Sequence, residues 1–432
     1  MNSIWNNTTK LPTFDSFKGN KKTDVLIIGG GLAGILCAYE LKKHNIDYML
    51  VEANEILSGV SQNTTAKITS QHGFIYQKLV NEFGVEKAKL YLKANQNAVA
   101  KYRELAKNID CDFEEKDNYV YSVESLFKIE KELNALNKIG FSADYCENPN
   151  IPIATKGAVK FKSQAQFNPI KFAAEIAKEL NIYEHTRVLE YNGKEFITDF
   201  GRINAEKTIV ATHFPFINKH GSYFLKMHQH RSYVLALKSV PNVKGMYVDE
   251  SDCGFSFRNY NGLLLLGGGG HRTGKQGGSY TELESFRKKH YPTSTEVTRW
   301  ATQDCITLDG AAYIGQYSKS TPNLYVATGF NKWGVTSSMV AADILCDLIL
   351  GKENEFSSLF SPSRSILRPQ LVLNAAESVV NLLTFTGPRC PHLGCSLKWN
   401  KYEHSWDCPC HGSRFSKDGK LLDGPATDDI EL

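Results

Sequence analysis

The sequence predicts an α/β fold, and two stretches of the chain carry that prediction. The first spans residues 23–53, where the continuous apolar run Val25–Ile28 is typical of a parallel strand covered on both faces. A glycine-rich turn, a helical pattern and a second strand at Tyr48–Val51 follow it. The second stretch, Leu324–Gly351, repeats the order of strand, glycine and helix. This alternation predicts a parallel sheet with helices packed on it.

Composition allows two to four domains and argues against several classes of function. The 432 residues are 42% hydrophobic and 11% aromatic, as in ordinary globular proteins. The net charge of +4 comes from 50 basic and 46 acidic residues without a basic run, so we expect no nucleic-acid partner. No apolar stretch approaches the roughly 18 residues of a membrane span. The polar leader, residues 1–22, lacks the apolar core of a secretory signal, and we therefore expect a cytoplasmic protein.

The glycine-rich turn predicts a dinucleotide site. Gly29, Gly31 and Gly34 form a G-x-G-x-x-G pattern between the first strand and the first helix. The glycines permit a tight turn and close approach of the backbone, and the helix N-terminus faces a pyrophosphate. Glu52, after the second strand, is placed to accept hydrogen bonds from a ribose diol. The glycine pattern alone is weak, but its position between two strands and before an acid is specific.

Three later segments bear on whether the dinucleotide is FAD or NAD, because FAD is contacted again by distant parts of the chain. Leu57–Gly73 is rich in small hydroxyl residues, as expected of a loop over a pyrophosphate and a flavin ring. Thr186–Pro215 gives a strand pair that ends in a small-residue turn, and Leu324–Gly351 is the third segment. Each alone is compatible with a plain turn, but their order and spacing together are not typical of plain turns. The candidate cofactor residues in and before these segments, beyond Glu52, are Ala53, Ser61, Thr65, Ala66, Lys67, Thr212 and Val335.

These segments resemble the flavin-dependent amine and amino-acid oxidases, a family that includes D-amino-acid and glycine oxidases. Gln166–Leu180 and Arg299–Ser318 match further blocks of the same pattern, so the resemblance covers roughly residues 22–351. It implies FAD as the cofactor, backbone contacts from Val188 to the adenine, and Gly329 and Gly334 at the flavin ring and ribityl chain.

The same resemblance implies discontinuous domains. A Rossmann-like FAD-binding domain would be interrupted by an α+β substrate domain, whose antiparallel sheet roofs the flavin. Lys87–Ile109 has the apolar spacing of an amphipathic helix, and His228–Gly268 is patterned as strands joined by turns. The expected boundaries are 23–86, 151–215 and 300–352 for the FAD-binding domain, 87–150 and 216–299 for the substrate domain, 353–375 for a linker, and 376–432 for a C-terminal module.

Four of the ten cysteines lie near the C-terminus and predict a metal site. They belong to CPHLGC, residues 390–395, and CPCHGS, residues 408–413. A zinc site is one interpretation, but zinc draws four ligands to one ion and generally uses cysteines two to four residues apart. Here each loop offers one histidine and a surplus cysteine. Two matching loops favour two metal ions, with thiolates on one iron and imidazoles on the other, as in a Rieske [2Fe–2S] centre.

The paired patterns C-x-H-x-G-C and C-x-C-H-G-S resemble the Rieske family almost without deviation. This resemblance implies four cluster ligands, Cys390, His392, Cys408 and His411. A disulfide between Cys395 and Cys410 is implied as well. It also implies a small all-β module, shorter than is usual in that family. A domain of this size depends on its metal for stability.

One position departs from the pattern of respiratory Rieske proteins. Those proteins carry a serine and, two residues later, a tyrosine, and both donate hydrogen bonds to sulfur. Ser413 is retained here, but Phe415 stands in place of the tyrosine. Losing a donor leaves the reduced, more negative cluster less stabilised, so we expect a lower reduction potential.

The fusion as a whole resembles a bacterial family of FAD-dependent oxidoreductases with a C-terminal Rieske domain, and Thr64–Gly73 and Gly267–Lys275 are part of that likeness. A flavin accepts two electrons as a hydride and a [2Fe–2S] cluster carries one, so we expect a two-to-one electron converter. The substrate would be a small amine or amino-acid-like molecule. Electrons would leave through exposed cluster histidines to an external acceptor, a ferredoxin-like protein or a quinone. Reverse flow, an oxygen-using oxidase with a structural cluster, and a redox-sensing flavoprotein are alternatives.

Candidate catalytic residues are less clearly marked. Arg258, on a predicted strand of the roof, is a candidate clamp for a substrate carboxylate, with a solvated surface arginine as the alternative. His271 and Arg272 follow four glycines and are candidates to face the flavin. His228 and His230 alternate along a strand, so their rings share one face, either as a metal or substrate pair or as structural histidines.

Overall fold

The computed structural model describes residues 3–6, 8–251, 253–275, 279–384 and 386–432. The strands are β1 Gly19–Ile28, β2 Tyr48–Val51, β3 Lys67–Ile68, β4 Glu114–Tyr121, β5 Asp144–Cys146, β6 Ala158–Gln166, β7 Ile182–Tyr183, β8 Val188–Asn192, β9 Glu195–Thr198, β10 Gly201–Val210, β11 Met227–Lys238, β12 Met246–Asp249, β13 Ser256–Tyr260, β14 Leu263–Arg272, β15 Thr295–Thr307, β16 Tyr313–Gln316, β17 Leu324–Thr328, β18 Lys398–Asn400, β19 Ser405–Asp407, β20 Arg414–Ser416 and β21 Leu421–Asp423. The helices are α1 Leu32–Lys43, α2 Ile75–Phe83, α3 Val85–Ala106, α4 Leu126–Lys138, α5 Pro169–Ala177, α6 Tyr223–Lys226, α7 Tyr280–His290, α8 Gly334–Ile349, α9 Ser357–Phe360 and α10 Pro369–Leu383. Within these ranges, no helix combines the length and the apolar character that crossing a membrane requires.

The first sheet confirms the predicted α/β architecture. Its strand order is β16-β17-β10-β1-β2-β7, and the β8–β9 hairpin is attached to β10. β1 pairs in parallel with β10 and with β2, and Ile28 lies beside Val210 on one side and Val51 on the other. Because these parallel strands end at one edge, the residues that follow them, Gly29 and Glu52 among them, meet there.

The second sheet is the largely antiparallel sheet that the resemblance implied, and it is called the roof sheet below. Its order is β15-β11-β14-β13-β12-β4-β6-β3, with β5 on β6, and its neighbours are antiparallel except for β12 and β4. The strands expected within His228–Gly268 are β11 to β14. The turn between β13 and β14 uses Asn261 and Gly262, both at positive φ, as a tight hairpin requires. The helix expected over Lys87–Ile109 is α3.

The predicted C-terminal module, residues 376–432, begins within α10, and the name is used below for residues 386–432. This part is built on the antiparallel four-stranded sheet β18-β19-β20-β21. Its core is small and sulfur-rich, because Cys390, Cys395, Cys408 and Cys410 pack there with Phe415. Trp399 and Trp406 pair across β18 and β19, and Trp399 is exposed. The module therefore has little apolar core of its own.

The predicted leader, residues 1–22, and the predicted linker, residues 353–375, both contain segments that pack against the rest of the chain. β1 begins at Gly19, within the predicted leader, and Trp5 is fully buried with its indole N–H donating to the Thr64 carbonyl (2.8 Å). The predicted linker, residues 353–375, contains α9 and the first part of α10, where Asn374 is buried.

Candidate functional site

The loops 390–395 and 408–413, named here the cluster loops, have matching backbone conformations. In the first, the N–H groups of Cys390 and Gly394 close a turn, and both bonds are 2.9 Å long. The second loop repeats the two bonds at 2.8 and 2.9 Å. Gly394 and Gly412 have φ values of +78° and +86°, a region that favours glycine. The repeated glycine therefore gives two equivalent loops.

Two thiols and two imidazoles converge between the cluster loops. A hydrogen bond with the Cys408 thiol lowers the pKa of Cys390 to about 7. The rings of His392 and His411 lie 4.9 Å apart between centroids. Burial lowers the pKa of His392 to about 4 and that of His411 to about 3, so both imidazoles are neutral, the form that binds metals.

These four side chains provide a suitable donor set for a [2Fe–2S] cluster. Nδ1 of His392 and both ring nitrogens of His411 are buried without a hydrogen-bond partner in the part of the chain that the structure describes. Such atoms are costly unless a ligand satisfies them. Adjacent thiols and adjacent imidazoles form two like pairs, one for each iron of a Rieske centre.

The surplus cysteines of the two loops, Cys395 and Cys410, are paired in a disulfide with a Cα–Cα distance of 6.8 Å. Cys408 lies close to this pair, and the three sulfur atoms are within 4.8 Å of one another. That trio is not a separate metal site, because the disulfide occupies two of its sulfurs. The bond instead ties one cluster loop to the other.

The histidine side of the cluster faces the chain's own segment 213–224. His411 is 1% exposed, and its ring centroid lies 6.5 Å from that of Phe214 and 6.0 Å from that of Phe224. His392 is half-buried, and its Nε2 lies 3.0 Å from Asn218 Oδ1. The expectation of exposed cluster histidines is therefore wrong for His411, because the segment after β10 folds over them.

A cavity of about 970 Å³ begins at the glycine-rich turn and continues beneath the second sheet. Its volume is at the upper end of ordinary ligand sites, about 300–1,000 Å³. The predicted cofactor residues that line it are Gly29, Gly31, Glu52, Ala53, Ser61, Thr65, Lys67, Val188, Thr212, Gly334 and Val335. Three other predicted cofactor residues are not part of the lining, namely Gly34, Ala66 and Gly329.

The glycine-rich turn has the geometry that a pyrophosphate needs. Gly29 has a φ of +112°, and a Cβ there would lie 2.7 Å from the Ala211 carbonyl oxygen. Ser61 Oγ accepts a hydrogen bond from the Leu32 N–H (2.9 Å) at the start of α1. Glu52 accepts bonds from the Gly30 N–H (2.7 Å) and the Asn54 N–H (2.9 Å), which fixes its carboxylate at the edge of the cavity. These residues fit the diphosphate and ribose of FAD.

Several side chains at the cavity were not predicted. Asp304 lines it from β15, and burial raises its pKa to about 6. His72 also lines it and stacks on Trp333, 4.9 Å between ring centroids. His72 and Trp333 lie in Leu57–Gly73 and Leu324–Gly351, two of the predicted cofactor segments. Asp304 is a single acid in a strand, and no local sequence pattern marks it.

The candidate catalytic residues do not line the cavity. Arg258 is fully buried, and its Nη1 donates to the carbonyls of Thr65 (2.7 Å) and Ala66 (2.6 Å), so it braces the cofactor loop and is not a surface residue. His271 stacks on Tyr233, 5.8 Å between centroids. Arg272 points to the second cluster loop and donates to the Pro409 carbonyl (3.3 Å).

In the predicted histidine pair on β11, His230 is buried and His228 is half-buried. Each ring has one buried nitrogen, Nδ1, without a hydrogen-bond partner among the described residues. Burial lowers the pKa of His228 to about 3 and that of His230 to about 2, so both rings are neutral at physiological pH. His230 pairs across the sheet with Asp304.

A buried ion network holds the C-terminal module on the roof sheet. Glu403 of the module accepts hydrogen bonds from Arg231 Nε (2.9 Å) and Tyr233 Oη (2.9 Å) on β11. Arg414 joins it, donating to Glu403 Oε2 (2.9 Å) and to Asp423 Oδ2 (2.9 Å). Burial opposes ionisation of Glu403, but the charge and hydrogen bonds of Arg231 outweigh it and lower the pKa to about 2.

Comparison with known proteins matches two families to the two parts of the chain. Residues 24–348 match the FAD dependent oxidoreductase family (DAO), and residues 364–432 match the Rieske [2Fe-2S] domain. The Rieske 2Fe-2S iron-sulfur protein YhfW of Bacillus subtilis (strain 168) is 36% identical, with 98% of this chain and 96% of that protein aligned. The cytochrome b6-f complex iron-sulfur subunit of Synechococcus sp. (strain JA-3-3Ab) is 49% identical over 43 residues, 10% of this chain and 25% of the subunit.

Solved structures share the fold of the flavin part. Glycine oxidase from Geobacillus kaustophilus superposes with a TM-score of 0.66 at 20% identity, covering 80% of this chain and 99% of that one. L-proline dehydrogenase from P. horikoshii gives 0.67 at 16% identity, covering 80% and 98%. Because the two family models match the two parts of the chain, the cofactors are FAD and a [2Fe–2S] cluster. The chain belongs to the FAD dependent oxidoreductase family and carries a Rieske [2Fe-2S] domain at its C-terminal end.

Proposed function

We propose that the protein oxidises a small amine or amino acid at its FAD and passes the electrons singly through the cluster to an external one-electron acceptor, a ferredoxin-like protein or a quinone. When bound, FAD supplies a two-electron hydride acceptor and the cluster a one-electron carrier. Each substrate molecule releases two electrons, so two single transfers to the acceptor complete one oxidation. Cys390, His392, Cys408 and His411 would hold the irons.

The observation that carries this proposal is the wall shared by the cofactor cavity and the cluster. Phe214 lines the cavity, and its ring centroid lies 6.3 Å from that of His392 and 6.5 Å from that of His411. Gly424, Pro425 and Ala426 of the module line the cavity as well. Close contact of this kind favours electron transfer within the chain over a cluster that serves only as structure.

The cavity also supports an anionic substrate group. Lys67 is buried, its Nζ donates to Thr65 Oγ1 (3.0 Å), and burial together with the charge of Arg258 lowers its pKa to about 7. A bound carboxylate would stabilise the charged form of Lys67. The names of glycine oxidase, L-proline dehydrogenase and L-amino acid deaminase, all of this fold, point to the same class of substrate.

An anaerobic titration of the purified holoenzyme with amino acids and amines tests the proposal. We expect the flavin absorbance to bleach and the cluster absorbance to follow in the same sample. A flavin that bleaches beside a cluster that stays oxidised would contradict internal transfer and favour a sensor. Peroxide formed stoichiometrically in air, with an oxidised cluster, would favour an oxidase.

A further inference from the structure

Two buried glutamines connect the cofactor cavity to the second cluster loop. Gln229 on β11 and Gln303 on β15 are each 2% exposed, and both line the cavity. Gln229 Nε2 donates to the His411 carbonyl (2.8 Å) and to the Gly424 carbonyl (3.0 Å). Gln303 Nε2 donates to the Gly412 carbonyl (2.8 Å) and to Gln229 Oε1 (2.6 Å). All four amide hydrogens are thus used, three of them on the module.

The orientation of Gln303 is fixed. Thr273 Oγ1 donates to Gln303 Oε1 (2.9 Å), and a flipped amide would place that oxygen against Gln229 Oε1 and the Gly412 carbonyl oxygen. Close approach of the loop also depends on glycine. A Cβ at Gly412 would lie 2.5 Å from the Gln229 Cβ, and Gly412 has a φ of +86°.

Satisfied buried polar networks of this kind specify one arrangement, because an unmatched partner costs about 1–3 kcal/mol. The network joins the main chain of a proposed ligand, His411, to two side chains of the cavity wall. It therefore fixes the position of the second cluster loop on the cavity wall.

We infer that Gln229 and Gln303 are positioning residues for electron transfer between flavin and cluster. This inference rests on the proposed function. The amide pair holds the His411 loop at the cavity wall in one geometry, so no movement of the module precedes transfer.

The test uses the holoenzyme variants Gln229→Leu and Gln303→Leu. Thr273→Val is a milder change, because it removes the hydroxyl that donates to Gln303 Oε1 and so leaves that amide less constrained. The readouts are iron and FAD content, the EPR spectrum of the dithionite-reduced cluster, and the rate at which electrons from photoreduced flavin reach the cluster. Asn95→Leu is the matched control, because Asn95 is a buried amide on α3 that donates to the Tyr91 carbonyl (2.9 Å), away from the module and the cavity lining.

We expect internal transfer to slow by about tenfold or more in the leucine variants and less in Thr273→Val, since small misplacements of reacting groups cost up to about 100-fold. A shifted or broadened EPR spectrum would accompany the slower rate, while Asn95→Leu would match the parent. Iron-loaded variants that transfer at the parent rate with the parent spectrum would overturn the inference. A parent enzyme that passes no electrons would instead refute the proposed function.

Discussion

Phe415 is the residue whose side chain most directly bears on the cluster potential. It is fully buried and faces Trp406 across β19 and β20. Phe415→Tyr adds a hydroxyl donor near the cluster sulfurs, and a net hydrogen bond of about 1.4 kcal/mol to the reduced form raises a one-electron potential by about 60 mV. An EPR-monitored redox titration measures the change. An intact cluster with an unchanged potential would contradict this account of position 415.

Lys67 is the residue whose charge bears on the substrate. Lys67→Met removes a buried ammonium from the cavity, and a lost charge-assisted hydrogen bond is worth about 1.5–3 kcal/mol. We expect kcat/KM for an amino acid to fall by about 10–100-fold, with a smaller fall for the amine that lacks the carboxylate. Equal losses on both substrates would show that Lys67 does not bind a carboxylate.

At the scale of elements, the contact between β11 and the module predicts a pH dependence. The pKa of Glu403 is about 2 in the folded protein against an ordinary 4.5, which corresponds to roughly 3 kcal/mol. This stabilisation is complete above pH 4.5 and is lost as the pH falls toward 2. Glu403→Gln should therefore lower stability at pH 7 and flatten its decline below pH 4.5, as measured by melting temperature.

Glu355→Gln is the matched control for that experiment. Glu355 pairs with Lys93 at the surface, where both side chains are about half exposed, and such pairs contribute below about 1 kcal/mol. A parent and a Glu403→Gln variant with the same pH profile would mean that the network does not hold the module.

Local patterns in the sequence were sufficient for the elements but not for their assembly. The parallel strands and the cluster loops were predictable, because apolar runs, glycines and ligand spacing each act over a few residues. The position of the module on the second sheet was not predictable, because its contacts join residues that are far apart in the sequence. Gln229 and His411 are 182 residues apart, and Arg231 and Glu403 are 172 apart. The contacts of Arg258 were not predictable for the same reason, because its partners are the carbonyls of a distant loop.

For the whole molecule, the sulfur-rich core of the module predicts a metal-dependent fold. The core around Cys390 and Phe415 is small, so the irons and the docking contacts supply much of its stability. Removal of iron should expose residues 386–432 to protease while the flavin part stays resistant and keeps its FAD. Limited proteolysis with mass spectrometry reads out both parts. An apo protein cleaved no faster than the holoenzyme would contradict this view.

The proposed function requires that electrons pass between flavin and cluster inside one chain. Anaerobic mixing of the oxidised holoenzyme with its substrate, followed by freeze-quenched EPR within a single turnover, tests it most directly. We predict that the reduced cluster signal grows as the flavin is reduced, at a rate independent of protein concentration. Fully reduced flavin beside an EPR-silent, oxidised cluster after many turnover times would contradict the account.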